Sequence, residues 1–154
     1  MGILTEEIIR FLKKQSFVVI ATIDGKGMPH TSCKGIVKIE KNGKIYILDL
    51  YKRKTYDNLI NNPGISITAV DEHKFKGWCL KGKARIVPGG ELSEDIIRAW
   101  EKRIAIRITR RLIKNMAGTD KGHARHPESQ FPRPEYMIVV DVDEIVDLIP
   151  YHVT

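Results

Sequence analysis

The sequence predicts a mainly β protein: a largely antiparallel, barrel-like sheet of six strands with flanking helices, and a long basic helix before the last strand. Short β-branched runs recur along the chain, five before the long helical segment and one after it. Neighbouring runs are mostly joined by hairpin-type turns such as Asn42-Gly43, the connection that antiparallel pairing uses. The single βαβ-like step, through residues 54–62, has a helix barely two turns long, too short for a Rossmann arrangement.

In order along the chain, Thr5 is placed to cap a short helix whose Glu6 and Glu7 suit the positive end of its dipole. Leu4, Ile8, Ile9 and Leu12 fall on one face of it. Residues 17–23 read as a strand, and Asp24-Gly25-Lys26-Gly27 turns the chain into a second strand over 30–40. In its later part Val37 and Ile39 alternate with Lys38 and Glu40, which predicts one face for each pair. Asn42-Gly43 leads into a third strand over 44–49, and residues 54–62 form a helix stopped by Pro63. Strands follow at 64–70 and 78–87, the second ended by Pro88-Gly89-Gly90. Ser93 caps a helix over 94–116 whose apolar stripe, Ile96, Trp100, Ile104, Ile108, Leu112 and Met116, repeats every four residues. That stripe drifts around a 3.6-residue helix, so a bend or break is expected. Residues 119–134 read as a polar loop, 136–142 as the last strand, and Ile145, Val146, Leu148 and Ile149 as an apolar tail.

With 154 residues, 42% hydrophobic and 29% charged, the chain has the balance of one soluble domain spanning 1–154. Cys33 and Cys79 each sit in an apolar, strand-like run without CxxC spacing, the pattern of two buried thiols in a reducing cytoplasm. The acidic, amphipathic start does not resemble a signal peptide, and no apolar run approaches the roughly 20 residues of a membrane span. A cytoplasmic protein without membrane contact is expected. Lys and Arg exceed Asp and Glu by seven. Arg98, Lys102, Arg103, Arg107, Arg110, Arg111 and Lys114, opposed by Glu101, supply six of those seven. A general polyanion-coated surface is therefore disfavoured. That helix is either a solvated basic face or a site for an anionic partner, including nucleic acid, whose binding would fall steeply with salt.

Several chemistries have no motif here. No GxGxxG follows a strand, and no GxxxxGK[ST], HExxH or GxSxG occurs. His123 and His126 lack a third ligand at motif distance, so no metal site is expected. Two segments are more informative. In Lys52-Arg53-Lys54-Thr55-Tyr56-Asp57-Asn58-Leu59, three cations and a hydroxyl stand at the start of a helix. Cations there oppose the dipole, and free N–H groups attract a phosphate; the plainer reading is a solvated basic loop with Thr55 as a cap. In His30-Thr31-Ser32-Cys33-Lys34-Gly35, alternation puts His30, Ser32 and Lys34 on one face and Thr31, Cys33 and Gly35 on the other. Polar side chains there suit a ligand wall, and Gly35 would let a flat ring approach the backbone; an exposed strand face is the commoner explanation.

In order and spacing, Gly27, Pro29, Ser32, Lys34, Gly35, Lys54, Thr55, Asn58, Leu59, Asn62, Pro63, Phe75, Lys76, Gly77, Trp78, Lys81 and Gly82 form a connected pattern. It resembles the pyridoxamine 5′-phosphate oxidase-like FMN-binding split-barrel family, over roughly residues 5–87 and the final strand, and is most similar to its small stand-alone members. The resemblance implies a six-stranded split barrel that pairs as a homodimer, with FMN at the subunit interface. By position, Lys54 and Thr55, helped by Arg53, would hold the FMN phosphate. Ser32 and Lys34, with the backbone of Cys33 and Gly35, would line the isoalloxazine ring. Asp49 and Leu50 would lie near the ribityl chain with Asn58 nearby, and Trp78 would contact flavin across the dimer. A cation such as Lys34 near the pyrimidine end of a flavin favours its anionic reduced form and raises its potential.

Two departures qualify the likeness. Family members that oxidise vitamin B6 end in an Arg- and His-bearing segment, whereas this sequence ends Leu148-Ile149-Pro150-Tyr151-His152-Val153-Thr154, so that activity is not expected. Residues 93–135 also exceed what a minimal member carries, an insertion that would shape a substrate pocket, cover the dimer edge or bind an anionic partner. The expected function is an FMN-dependent oxidoreductase acting on a small-molecule redox substrate, with no catalytic side chain assigned. The alternatives are an FMN carrier or electron-transfer protein, or a split barrel using deazaflavin or haem.

Overall fold

The computed structural model describes residues 3–116 and 133–152. Its elements are α1 (Glu6–Lys13), β1 (Val18–Ile23), β2 (Pro29–Ile39), β3 (Lys44–Asp49), α2 (Lys54–Asn61), β4 (Gly64–Asp71), β5 (Lys76–Pro88), α3 (Glu94–Met116) and β6 (Tyr136–Asp147), with a short 3₁₀ turn at Gly89–Glu91. The strands close in the order β1-β2-β3-β6-β5-β4, and every neighbouring pair is antiparallel. Closure removes free sheet edges, so each strand finds backbone partners on both sides. The predicted six-stranded antiparallel barrel with flanking helices is what the chain forms.

Alternation along the strands fills the barrel. Ile20, Ile45, Ile47, Ile67, Leu80, Ile138 and Val140 are fully buried in one apolar cluster. Leu4, Ile8, Ile9 and Leu12 of the α1 segment join it, and Thr5 accepts the Ile8 amide at 3.2 Å as the helix cap. Leu59 of α2 contributes from another side. A second cluster lies outside the barrel, where Ile96 of α3 packs on Leu48, Met137 and Val139, flanked by Val37 and Trp100. This cluster fixes the first half of α3 over β3 and β6.

Four expectations change on contact with the structure. Val37 and Ile39 do not share a face: the β2–β3 register shifts between Ile36 and Lys38, so Val37 packs in the outer cluster and Ile39 against the inner one. The last strand runs on to Asp147, and the apolar tail positions Ile145 and Val146 pair with Leu80 and Cys79. The thiols are not both buried: Cys33, paired with the exposed Val19, is exposed, and Cys79, next to the fully buried Leu80 in an alternating strand, is half-buried. Helix α3 is continuous over Glu94–Met116, and the drifting stripe is absorbed by its leaving the core, with Leu112 and Met116 exposed. The polar loop, with His123 and His126, lies outside the described residues. No helix among the described residues is long and apolar enough to cross a membrane.

Candidate functional site

Helix α2 starts without a side-chain cap. Arg53 occupies the cap position with φ −123° and ψ −143°, and its side chain makes no capping bond. The Asp57 amide donates to the Arg53 carbonyl at 3.0 Å, which leaves the amides of Lys54, Thr55 and Tyr56 outside the helical ladder. Lys52, Arg53 and Lys54 are all exposed around them. Arg53 stands over the Tyr51 ring at 5.3 Å and Lys52 over the Tyr56 ring at 5.2 Å. Thr55 is buried, and its Oγ1 shares a hydrogen bond with Ser32 Oγ at 3.0 Å. That contact ties the start of α2 directly to β2. Asn58 is also buried, and its Nδ2 donates to Thr22 Oγ1 at 3.0 Å, so its amide group locks α2 to β1.

Two residues beyond Ser32, Lys34 Nζ pairs with Asp49 Oδ2 at 2.8 Å, with the side chains only 18% and 8% exposed. The same oxygen accepts the Tyr136 hydroxyl at 2.6 Å. Tyr136 is fully buried, with the Tyr56 ring edge-on at 5.0 Å. Burial, and then the bond to Asp49, push its hydroxyl well above the ordinary value of 10.0. The folded state therefore keeps Tyr136 protonated where the unfolded chain ionises. Its contribution is complete below about pH 10 and is lost as pH rises further. Tyr136→Phe is expected to lower stability by about 1.5 kcal/mol at neutral pH, the scale of a hydrogen bond to a charged group. Denaturant melts run from neutral to alkaline pH should show that gap closing above pH 10. A gap that stays constant would remove Tyr136 from the titration.

Between the end of the β2–β3 pair and α3 lies a cavity of about 330 Å³, within the range of small-molecule sites. Cys33, Lys34, Gly35, Asp49 and Leu50 form one wall, and Trp100, Arg103, Ile104 and Arg107 of α3 the other. A methyl group built on Gly35 would meet nothing nearer than Arg107 Nη2 at 3.6 Å. The Arg103 and Arg107 guanidiniums thus lie in van der Waals range of that position, and no side chain of residue 35 stands between them and the strand.

Of the residues singled out in the sequence, Cys33, Lys34, Gly35, Asp49 and Leu50 share this cavity. Ser32 and Thr55 join it to the basic start of α2. Trp78 stands apart: it pairs with Ala69 and Asp147, at the opposite end of β5 from Pro88, which pairs with Tyr136. The sequence reading missed Tyr136 and Thr22 as partners, and it did not assign the α3 arginines to a wall. For α3 a local signal existed: positions 100, 103, 104 and 107 fall on one helical face that mixes apolar and basic groups. Among the described residues, no group of three His, Cys, Asp or Glu is placed to hold a metal ion.

A family model described as pyridoxamine 5′-phosphate oxidase matches residues 4–145. The uncharacterized protein MJ0282 of Methanocaldococcus jannaschii is 29% identical over 101 residues, 62% of this chain and 66% of that protein. Among solved structures, HupZ of Group A Streptococcus superposes with a TM-score of 0.69 at 19% identity, covering 96% of this chain and 95% of that one. An F420 reductase does so with a TM-score of 0.59 at 16% identity, covering 93% and 98%. General Stress Protein 26 of Bacillus anthracis gives 0.58 at 15% identity, covering 94% and 93%. At these identities the structural likeness is one of fold.

Proposed function

Because the chain belongs to the pyridoxamine 5′-phosphate oxidase family, whose members bind flavin-type cofactors, we propose that it is an FMN-dependent oxidoreductase acting as a homodimer. The observation that carries this reading is the Ser32–Thr55 bond of 3.0 Å, which joins a cavity wall to an uncapped, basic helix start. Ring and phosphate of one ligand would thus be held by elements that are already coupled. The residues present fit such a group. Gly35 brings bare backbone to the cavity wall, which suits a flat ring, and the α2 amides with Arg53, Lys54 and Thr55 suit a dianionic phosphate.

In this reading FMN supplies the hydride or electron transfer, and the protein supplies position and electrostatics. Ser32, Lys34 and the backbone of Cys33 and Gly35 line the ring. Asp49 and Leu50 border the ribityl chain. Asp49 also holds the Lys34 ammonium at 2.8 Å, so the cation would meet the ring already paired with a carboxylate. Asn58 acts by fixing α2 against β1, and Trp78 reaches a flavin from the second subunit of the dimer. Among the described residues the cavity wall contains no histidine, and no side chain is assigned a proton-transfer role.

Purified protein is expected to be yellow, with a two-band flavin spectrum and FMN released on heating. Colourless protein that leaves FMN fluorescence unquenched at micromolar concentration overturns the reading. A deazaflavin or a haem would each show a different single main band.

A further inference from the structure

Beside Gly35, at the rim of the cavity, α3 presents two guanidinium groups, with Arg107 Nη2 3.6 Å and Arg103 Nη2 4.0 Å from where a methyl on Gly35 would stand. Arg103 Nη1 donates to the Ile36 carbonyl, and its Nη2 to the carbonyls of Gln15 at 3.5 Å and Ser16 at 3.3 Å. Arg107 Nη2 donates to the same Ser16 carbonyl. Among the described residues these neutral carbonyls are their hydrogen-bond partners, and neither arginine sits in an ion pair. The contrast with other cations is direct: Lys34, Lys41, Lys44, Lys81 and Arg98 each have a carboxylate within 3.4 Å. On the cavity wall Lys34 and Asp49 cancel, so the charge that remains is that of Arg103 and Arg107. Burial, with Arg107 adding, holds the Arg103 guanidinium below its ordinary value, the mark of a cation lacking a counter-charge.

A tether alone would explain the carbonyl contacts but not why two like charges face a cavity together. Among the described residues Arg107 has one of its five N–H groups engaged. The rest are free to grip a planar anion, for which a guanidinium fork is shaped. Trp100 and Ile104 beside them make the same wall apolar, which selects an organic anion over an inorganic one.

We infer that Arg103 and Arg107 form the substrate-recognition wall of this cavity and that the redox substrate is an organic anion, a carboxylate or phosphate ester carrying an apolar body. Its identification as the redox substrate rests on the FMN reading above; the anion site does not.

Calorimetric titration of the purified protein, as isolated and after FMN addition, tests this with phenyl phosphate, benzoate and the neutral benzamide. The two anions are expected to bind and benzamide to bind at least about tenfold more weakly, the worth of one charge-assisted contact. Arg107→Gln should weaken both anions by about tenfold or more, with Arg107→Lys intermediate and FMN content unchanged. Ile104→Glu, which leaves the tethers of both arginines intact, should also abolish anion binding by supplying an internal carboxylate. Equal binding of benzamide and benzoate, or anion affinities unmoved in Arg107→Gln and Ile104→Glu, overturns the inference. So does loss of FMN from Arg107→Gln, which would give the arginines to the cofactor. Should the protein take up no FMN, the FMN reading falls while the anion titrations still decide the site.

Discussion

Replacing Arg53 and Lys54 together with glutamine is expected to raise the Kd for FMN about 100-fold while leaving that for riboflavin within about threefold. The two ligands differ only in the phosphate, so the ratio isolates the helix start from the ring wall. Both cations are solvent-exposed, and screening limits each contact to about 1.5 kcal/mol, the lower end for a charge-assisted bond. Two such contacts amount to about 3 kcal/mol, or roughly two decades of affinity. Some preference for FMN should survive, because the amides of Lys54, Thr55 and Tyr56 remain and the helix dipole with them. The wild-type preference should shrink as salt rises, since exposed charges are screened within about 10 Å at 0.1 M. Fluorescence-quenching titrations with both flavins measure this directly. An equal loss of FMN and riboflavin would mean that the substitutions damage the site as a whole. Unchanged FMN affinity would remove the phosphate from α2.

What the sequence made legible here is what neighbours along the chain decide. Thr5 as a cap, the Leu4-Ile8-Ile9-Leu12 face and the Asn42-Gly43 turn are local, and the structure keeps all three, with Gly43 at φ +100°. The last strand was cut short for a local reason too. Lys81 pairs with Glu144 and Gly82 with Val142, so Asp143 drops out of the ladder and breaks the alternation that marks a strand. The site shows the same division. Alternation put Ser32 and Lys34 on one face, but their partners Thr55 and Asp49 come from other elements. Tyr136 reaches Asp49 from 87 residues away, and Arg103 reaches Ile36 from 67. The mixed apolar and basic face of α3 at positions 100, 103, 104 and 107 is local, but the strand it lies over is not. Only barrel closure brings these groups together, and closure is not a property of any window of sequence.

The glycines of the family pattern make the same point in steric terms, and Gly82 yields the larger stability prediction. A methyl group on Gly82 would lie 2.8 Å from Asp141 C and 3.0 Å from Val142 Cα, and nearer still to Asp141 O. All three are backbone atoms of β6, so no side chain can rotate away. The backbone of Gly82 has no positive φ, so the requirement is one of space and not of conformation. Space is short because the register shift at Lys81/Gly82 presses β5 against β6. The β5–β6 ladder runs from Trp78–Asp147 to Pro88–Tyr136, and one end of it holds Tyr136 against Asp49. Moving β6 outward therefore strains barrel closure and the cavity wall together. Gly82→Ala is expected to cost about 3 kcal/mol, the upper range for overpacking, and to lower Tm by about 10 °C in a chain of this size. Gly90→Ala serves as the control, since a methyl there meets no atom within 4 Å; it should stay within about 0.5 kcal/mol of wild type. Thermal unfolding followed by circular dichroism reads both. A Gly82→Ala protein melting within about 2 °C of wild type would show that β6 yields at the bulge with little strain. The glycine would then answer to some demand other than the approach of these two strands.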